Sequence, residues 1–242
     1  FCLRPAFEMP VMSIETLEKV ISHLLEISEY RVDFVWHGGE PLVAGVSFFK
    51  KIKVFQRKYN KRNLKIFNNV QTNGTLLNKE FREFFKKEEF TISTSLQGTK
   101  GIHDKLRVYK NGHPSFDKVT RNISELNKKP YAVLVLTKEI LRREEEVYYD
   151  MKKHVNGFRI SEFFPRDKSL NKPAVMDPLM PTPEEYAESI NKFYKIWKKD
   201  PKPITIKPIT ELIKALVQGK CGGCLYSQKV CNFSVVGIKA NG

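Results

Sequence analysis

Five short apolar segments, each running into a glycine, an asparagine or a polar loop, alternate with amphipathic segments along most of this chain. That alternation restricts the fold more than any other feature. The apolar runs are Arg31 to Trp36, Leu64 to Thr72, Phe90 to Leu96, Tyr131 to Leu136 and Phe158 to Phe163, each of strand length. Around them, apolar residues recur at helical spacing. Leu17, Val20, Ile21, Leu24 and Leu25 form one face of a helix that Ser13 caps, with Glu15 in its first turn near the positive dipole end. Further helices are expected over 46–59, 78–85, 115–126, 144–155, 184–199 and 210–218, with the Pro-rich stretch 165–183 a long loop. Apolar strands separated by helices predict a parallel sheet with crossover helices, in an open sheet or a barrel. Ligands in such folds gather beyond the carboxyl ends of the strands. The loops to search are therefore Trp36 to Glu40, Gln71 to Gly74, Ser93 to Gln97 and Glu162 to Pro165.

Composition narrows the class. With 242 residues and 41% hydrophobic side chains the chain has ample material for a core and is too apolar for a disordered basic tail. No apolar run approaches the roughly 20 residues of a membrane span, so no membrane partner is expected. Four cysteines are too few for a disulfide-stapled secreted scaffold of this size. The 42 Lys and Arg against 27 Asp and Glu give a charge of +15, spread in pairs such as Lys86-Lys87 and Lys198-Lys199. Without a long basic run or an Arg-aromatic repeat, this predicts a solvated surface rather than a nucleic-acid partner.

The pentapeptide His37-Gly38-Gly39-Glu40-Pro41 carries the most chemistry. Two glycines at a strand end allow the backbone to approach a ligand closely, and a carboxylate directly after them accepts hydrogen bonds from an ammonium group. An ordinary strand-to-loop turn, with His37 in the core and Glu40 as a cap, accounts for the pentapeptide equally well. Three of the four cysteines, Cys221, Cys224 and Cys231, crowd the last residues, and Cys2 stands alone near the start. The Cys221-x2-Cys224-x6-Cys231 spacing suits a structural zinc except that no fourth ligand is evident nearby.

Further segments resolve these alternatives. Trp36-His-Gly-Gly-Glu-Pro-Leu-Val-Ala-Gly45, Gln71-Thr-Asn-Gly-Thr-Leu-Leu77 and His103-Asp-Lys-Leu-Arg107 resemble the anaerobic sulfatase-maturating enzymes, in the same order and at similar spacing. Met12-Ser13, Phe116-Asp-Lys-Val119, Gly219-Lys-Cys221 and Cys231-Asn-Phe-Ser234 extend the likeness over nearly the whole chain. Those enzymes belong to the radical SAM superfamily, in the branch with a Cys-rich SPASM extension. The resemblance implies a partial (β/α)6 TIM-like barrel over residues 1–200, followed over 201–242 by a linker and the start of the SPASM region. It implies S-adenosylmethionine (SAM) and a 4Fe-4S cluster as cofactors, with auxiliary 4Fe-4S clusters in the intact protein.

By the same resemblance, Gly38, Gly39 and Glu40 form the site for the methionine end of SAM, and Gln71, Ser95 and Arg107 match polar positions that contact it. Phe1-Cys2 fits the final aromatic-Cys pair of the Cys-x3-Cys-x-aromatic-Cys cluster loop, whose thiolates suit a soft iron centre. The two other cluster cysteines and a first strand are then expected upstream of Phe1. A rival alignment sets Leu3-Arg4 inside the motif, with Phe1, Pro5 and Glu8 in place of its cysteines and a non-catalytic peptide-binding protein as the result. Cys221, Cys224 and Cys231 open the auxiliary-cluster region, whose hairpin, with the expected catalytic base, lies past Gly242. The chain is thus expected to be a fragment. One departure is visible: the family pattern Ser-Leu-Asp-Gly reads Ser95-Leu-Gln-Gly98 here, and a neutral amide cannot supply the charge of that acid.

The implied activity is oxidation of a sulfatase Cys or Ser to formylglycine through a 5′-deoxyadenosyl radical. Crosslinking or epimerisation of ribosomal peptides on the same scaffold is the alternative. A peptide or protein substrate, an external electron donor such as flavodoxin or ferredoxin, and a reducing cytoplasmic location complete the expectation.

Overall fold

The computed structural model describes residues 11–163, 178–219 and 236–242. Six strands form one sheet in the order β1-β2-β3-β4-β5-β6: Arg31–Trp36, Lys65–Thr72, Phe90–Ser95, Tyr131–Val135, Gly157–Ser161 and Thr205–Lys207. Registers are parallel where β1 meets β2 (Arg31 opposite Lys65), where β4 meets β5 and where β5 meets β6. Parallel neighbours need long crossovers, which helices supply. They are α1 (Ile14–Ile27), α2 (Gly45–Tyr59), α3 (Lys79–Lys87), α4 (Lys100–Leu106), α5 (Phe116–Ser124), α6 (Glu144–His154), α7 (Pro183–Lys199) and α8 (Ile209–Gln218). The chain divides within β3 into two compact units, split between Ser93 and Thr94.

In the first unit, Ser13 caps α1 as expected, its side chain accepting from the Thr16 N–H. The last turn of α1 has no basic residue. Instead Arg62, from the loop before β2, donates to the carbonyls of Leu25 and Glu26 at 2.8 and 2.7 Å. A cation there meets the negative end of the helix dipole. Phe49 of α2, Phe81 and Phe85 of α3 and Phe90 of β3 pack as a ring cluster, with Phe49 edge-on to the other three at 5.1–6.0 Å. Each ring is at least nine-tenths buried and stabilises the unit by about 1.5–3 kcal/mol.

In the second unit, Leu134, Tyr148, Met151, Phe158, Phe193 and Ile206 are fully buried in one cluster. β6 lies past residue 200 and continues the sheet alongside β5. Its approach depends on Gly157, where an added Cβ meets the Thr205 carbonyl oxygen at 2.7 Å. Only five strands were expected, so β6 is a correction: three residues among Pro201, Pro203 and Pro208 carry too little pattern to read. The seven-residue α4 was also missed, because it presents only Ile102 and Leu106 as an apolar signal.

Some of the surplus positive charge has a local reason. Arg57 and Lys58 close α2, Lys86 and Lys87 close α3, Lys152 and Lys153 close α6, and Lys198 and Lys199 close α7. Cations in a last turn complement the helix dipole. Among the described residues no helix is long and apolar enough to cross a membrane.

Candidate functional site

β1 ends at Trp36, whose indole N–H donates to Asn68 Oδ1 on β2 at 3.0 Å. Asn68 is itself paired with Gln56 of α2, each amide donating to the other at 2.9–3.0 Å. Both amides are buried, at 4% and 2% exposure, so this network replaces water with mutual hydrogen bonds. The last residue of β1 is thereby fixed to its neighbour strand before the glycines begin.

Gly38 and Gly39 adopt φ of 97° and 62°, a region that favours glycine. Among the described residues, a Cβ built on Gly39 meets nothing within 4 Å, so the space beside Gly39 is open to them. The turn delivers Glu40 to the start of a short 3-10 helix, Pro41–Ala44, which its side chain caps through the Leu42 N–H at 3.1 Å. The same oxygen, Oε1, accepts from the Thr72 hydroxyl at 2.6 Å. The other, Oε2, accepts from the Asn73 N–H at 2.7 Å. Glu40 therefore ties the end of β1 to the end of β2. Burial pushes its carboxyl above the usual range, against the pull of the donors from Thr72, Asn73 and Leu42.

A carboxylate has about four acceptor positions, and these contacts occupy three. One remains, on Oε2, beside an open glycine turn. That donor set fits the ammonium group of an amino-acid ligand such as the methionine end of SAM. Gln71, the residue before Thr72, lies half-buried in β2 within the same unit. Gly38, Gly39, Glu40 and Gln71 thus sit at the adjoining carboxyl ends of β1 and β2.

Ser95 and Arg107 belong to the second unit. Ser95 is the half-buried last residue of β3, and Arg107 is the half-buried C-cap of α4. Between them, Gln97 has a role that its sequence position did not disclose. Fully buried, its side chain donates to the Val135 carbonyl at 3.0 Å and accepts the Val135 N–H at 2.9 Å. It bonds both backbone groups of one β4 residue, as a further strand residue would. An aspartate there has no N–H to donate, so the departure from Asp is a structural adaptation.

His103, at 1% exposure, accepts the Gln97 N–H at Nδ1 (3.3 Å) and lies 3.1 Å from Ser115 Oγ through Nε2. Ser115 Oγ in turn donates to the Arg107 carbonyl at 2.6 Å. Hydrogen-bond logic assigns the proton to Nε2: Nδ1 accepts, Nε2 donates to Ser115, and Ser115 donates onward. Burial, with the Arg107 charge adding to it, lowers the His103 pKa to about 3, so the imidazole is neutral. Asp104 Oδ1 accepts the Ser115 and Phe116 N–H groups at 3.0 and 2.8 Å, fixing the start of α5. The backbone at Arg107 is thus held by a relay from β3 to α5.

The metal-ligand expectations, Cys2, Cys221, Cys224 and Cys231, all lie outside the described residues. Among the described residues, no group of three or more His, Cys, Asp or Glu side chains is placed to hold a metal ion. Thr72 and Asn73 were not expected as site residues, although they stand inside the turn Gln71 to Gly74. The signal was their place at a strand end opposite Glu40. Asn68 and Gln56 carried no such signal, being ordinary polar residues until packing brings them together.

No family model matches the chain. Among curated proteins it is 36% identical over 193 residues to the cysteine-type anaerobic sulfatase-maturating enzyme of Clostridium novyi, spanning 78% of this chain and 51% of that one. A serine-type counterpart from Bacteroides thetaiotaomicron is 44% identical over 119 residues, 49% of this chain and 28% of the relative. The chain spans about half to three-fifths of the length of the cysteine-type relatives it matches. The solved structure of native anSMEcpe with bound AdoMet and Cp18Cys peptide superposes with a TM-score of 0.83 at 26% identity, covering 92% of this chain and 63% of that one. The same enzyme with bound AdoMet alone gives a TM-score of 0.80 at 28% identity, covering 88% of this chain and 59% of that one. By sequence and by fold, the chain is homologous to a part of the anaerobic sulfatase-maturating enzymes, which are radical SAM enzymes.

Proposed function

We propose that this chain is the SAM-binding part of a radical SAM enzyme that oxidises a sulfatase active-site Cys or Ser to formylglycine. The observation that carries the reading is Glu40: a half-buried carboxylate at the adjoining ends of β1 and β2, with three acceptor positions filled by its own chain and one left for a cation. The anSMEcpe structures, with AdoMet and a Cys peptide bound, support the same ligand classes here.

In this proposal Gly38, Gly39 and Glu40 hold the amino-acid end of SAM, and Gln71, Ser95 and Arg107 supply further polar contacts. Cys2 is a ligand of the 4Fe-4S cluster that binds SAM; Cys221, Cys224 and Cys231 are ligands of an auxiliary 4Fe-4S cluster. Bound SAM supplies, on one-electron reduction, the 5′-deoxyadenosyl radical that takes hydrogen from the substrate Cβ. The protein's part is to orient and shield the cofactor. Glu40 fixes the amino-acid end, and the neutral His103 relay keeps the Arg107 backbone in place without adding a second positive charge. A sulfatase-like peptide is the substrate, flavodoxin or ferredoxin the electron donor, and the reducing cytoplasm the setting.

The test is anaerobic reconstitution of the protein containing this chain, with SAM, a reductant and a Cys-containing sulfatase peptide. Formation of 5′-deoxyadenosine together with a peptide that has exchanged sulfur for oxygen and lost two hydrogens, the mass change of Cys to formylglycine, is expected. SAM cleavage with a product that has lost only hydrogen assigns a crosslinking enzyme instead, and no cleavage with iron bound refutes the enzyme reading.

A further inference from the structure

Within the turn Gln71 to Gly74, the SAM-binding proposal uses Gln71 alone, yet the side chain that meets Glu40 is that of Thr72. Thr72 is 1% exposed, so water does not compete for its hydroxyl. The hydroxyl donates its single hydrogen to Glu40 Oε1 at 2.6 Å and accepts the Gly74 N–H at 3.0 Å. With donor and acceptor both engaged, the hydroxyl cannot rotate. Asn73 then fixes the second carboxylate oxygen through its N–H, while its own Oδ1 is occupied by the Thr75 N–H and hydroxyl at 2.9 and 2.7 Å. The turn is thus a rigid cradle for one carboxylate. It holds Glu40 from β2, a strand that Glu40 does not belong to.

A glutamate next to two glycines with positive φ has no backbone restraint of its own on that side. Without the hydroxyl, Oε1 keeps only the Leu42 N–H at 3.1 Å, the longest of its contacts. The carboxylate then has freedom to rotate and to spend its remaining acceptor positions on water.

We infer that Thr72 is a positioning residue for cofactor binding: its buried hydroxyl holds the Glu40 carboxylate so that one acceptor position on Oε2 stays available to the ammonium group of SAM. The inference rests on the proposed SAM site and adds to it a residue that acts through Glu40 rather than on the ligand. Valine matches threonine in shape and lacks the hydroxyl, whereas serine keeps the hydroxyl and loses a methyl group.

The experiment compares Thr72→Val, Thr72→Ser and Glu40→Gln by two readouts. The first is amide hydrogen exchange at Leu42 and Asn73 in the protein without SAM. The second is SAM affinity, by equilibrium dialysis on the anaerobically reconstituted protein. Thr72→Val is expected to speed exchange at both amides and to weaken SAM binding roughly tenfold, the scale of one hydrogen bond to a charged group. Thr72→Ser is expected to stay within about threefold of wild type, by the same scale.

Unchanged exchange in Thr72→Val, or a Thr72→Ser as weak as Thr72→Val, overturns the role of the hydroxyl. Wild-type affinity in Thr72→Val with poor binding by Glu40→Gln overturns positioning while leaving the site intact. Wild-type affinity in both variants overturns the SAM site at Glu40, and this inference with it.

Discussion

The neutral buried imidazole of His103 makes stability depend on pH in a way that can be worked out in advance. The unfolded chain protonates a histidine at its ordinary value of 6.5, whereas the folded one holds His103 neutral down to about 3. Between those values the unfolded state binds the extra proton, so stability is fully present above pH 6.5 and is lost as pH falls toward 3. Integrated from pH 8 to pH 5, this one group costs about 2 kcal/mol. At 1% exposure there is little solvent screening to reduce that figure.

The perturbation that isolates it is His103→Gln, which removes the titration while keeping a polar side chain beside Ser115. Its cost in buried contacts is the same at every pH, so the informative quantity is the slope. Urea unfolding at pH 8, 7, 6 and 5 is expected to show wild type losing about 2 kcal/mol more than the variant across the range. Nitrogen NMR of the imidazole is expected to show the Nε2–H tautomer throughout. Parallel stability curves for the two proteins, or an imidazole that titrates near 6.5, refute the relay from Gln97 through His103 and Ser115 to Arg107.

Three more outcomes test the packing around the site. Asn68→Leu leaves Gln56 and the Trp36 indole without a buried partner and is expected to cost about 2–4 kcal/mol by chemical denaturation. The Gln56→Leu, Asn68→Leu double variant is expected to cost less than the sum of the singles, and strict additivity speaks against a coupled pair. Gln97→Asp places a charge in a fully buried position and breaks the bond to the Val135 carbonyl, for an expected loss of at least about 3 kcal/mol that lessens at low pH as the acid protonates. Gly39→Ala meets only the cost of positive φ, about 1 kcal/mol, since its Cβ enters open space. Gly98→Ala adds a 2.9 Å approach to Val147 and is expected to be the more destabilising of the two in thermal unfolding; the reverse order contradicts the geometry at Gly98.

Much of the fold was legible because long amphipathic helices and apolar strands each repeat their pattern several times. All five expected strands are present within a residue or two at their ends, the largest shift being that of Phe158 to Phe163, which became Gly157–Ser161. The sixth was illegible because three residues cannot show a period, and its stability comes from pairing with β5 rather than from its own side chains. The candidate site divides in the same manner. Gly38 and Gly39 announce a turn by composition, since few other residues accept their φ.

Thr72 and Asn68 announce nothing, because a threonine or asparagine in a strand has many uses. Gln97 was read as the loss of an acid, a reading that treated the position as one for charge. Its bonds to Val135 show that length and an N–H donor are what the position requires.

Periodicity and the order of short motifs are properties of the chain itself, so the parallel α/β architecture, the glycine turn after β1 and the likeness to a maturase could be read before any coordinates. Which partners Glu40 takes, why His103 is neutral and what Gln97 replaces depend on groups brought together from different strands and helices. Hydrogen bonding and desolvation act over a few ångströms, whereas Glu40 and Thr72 stand 32 residues apart in sequence. Only folding brings them to 2.6 Å, where the bond orients the carboxylate and opposes the rise in pKa that burial imposes on it.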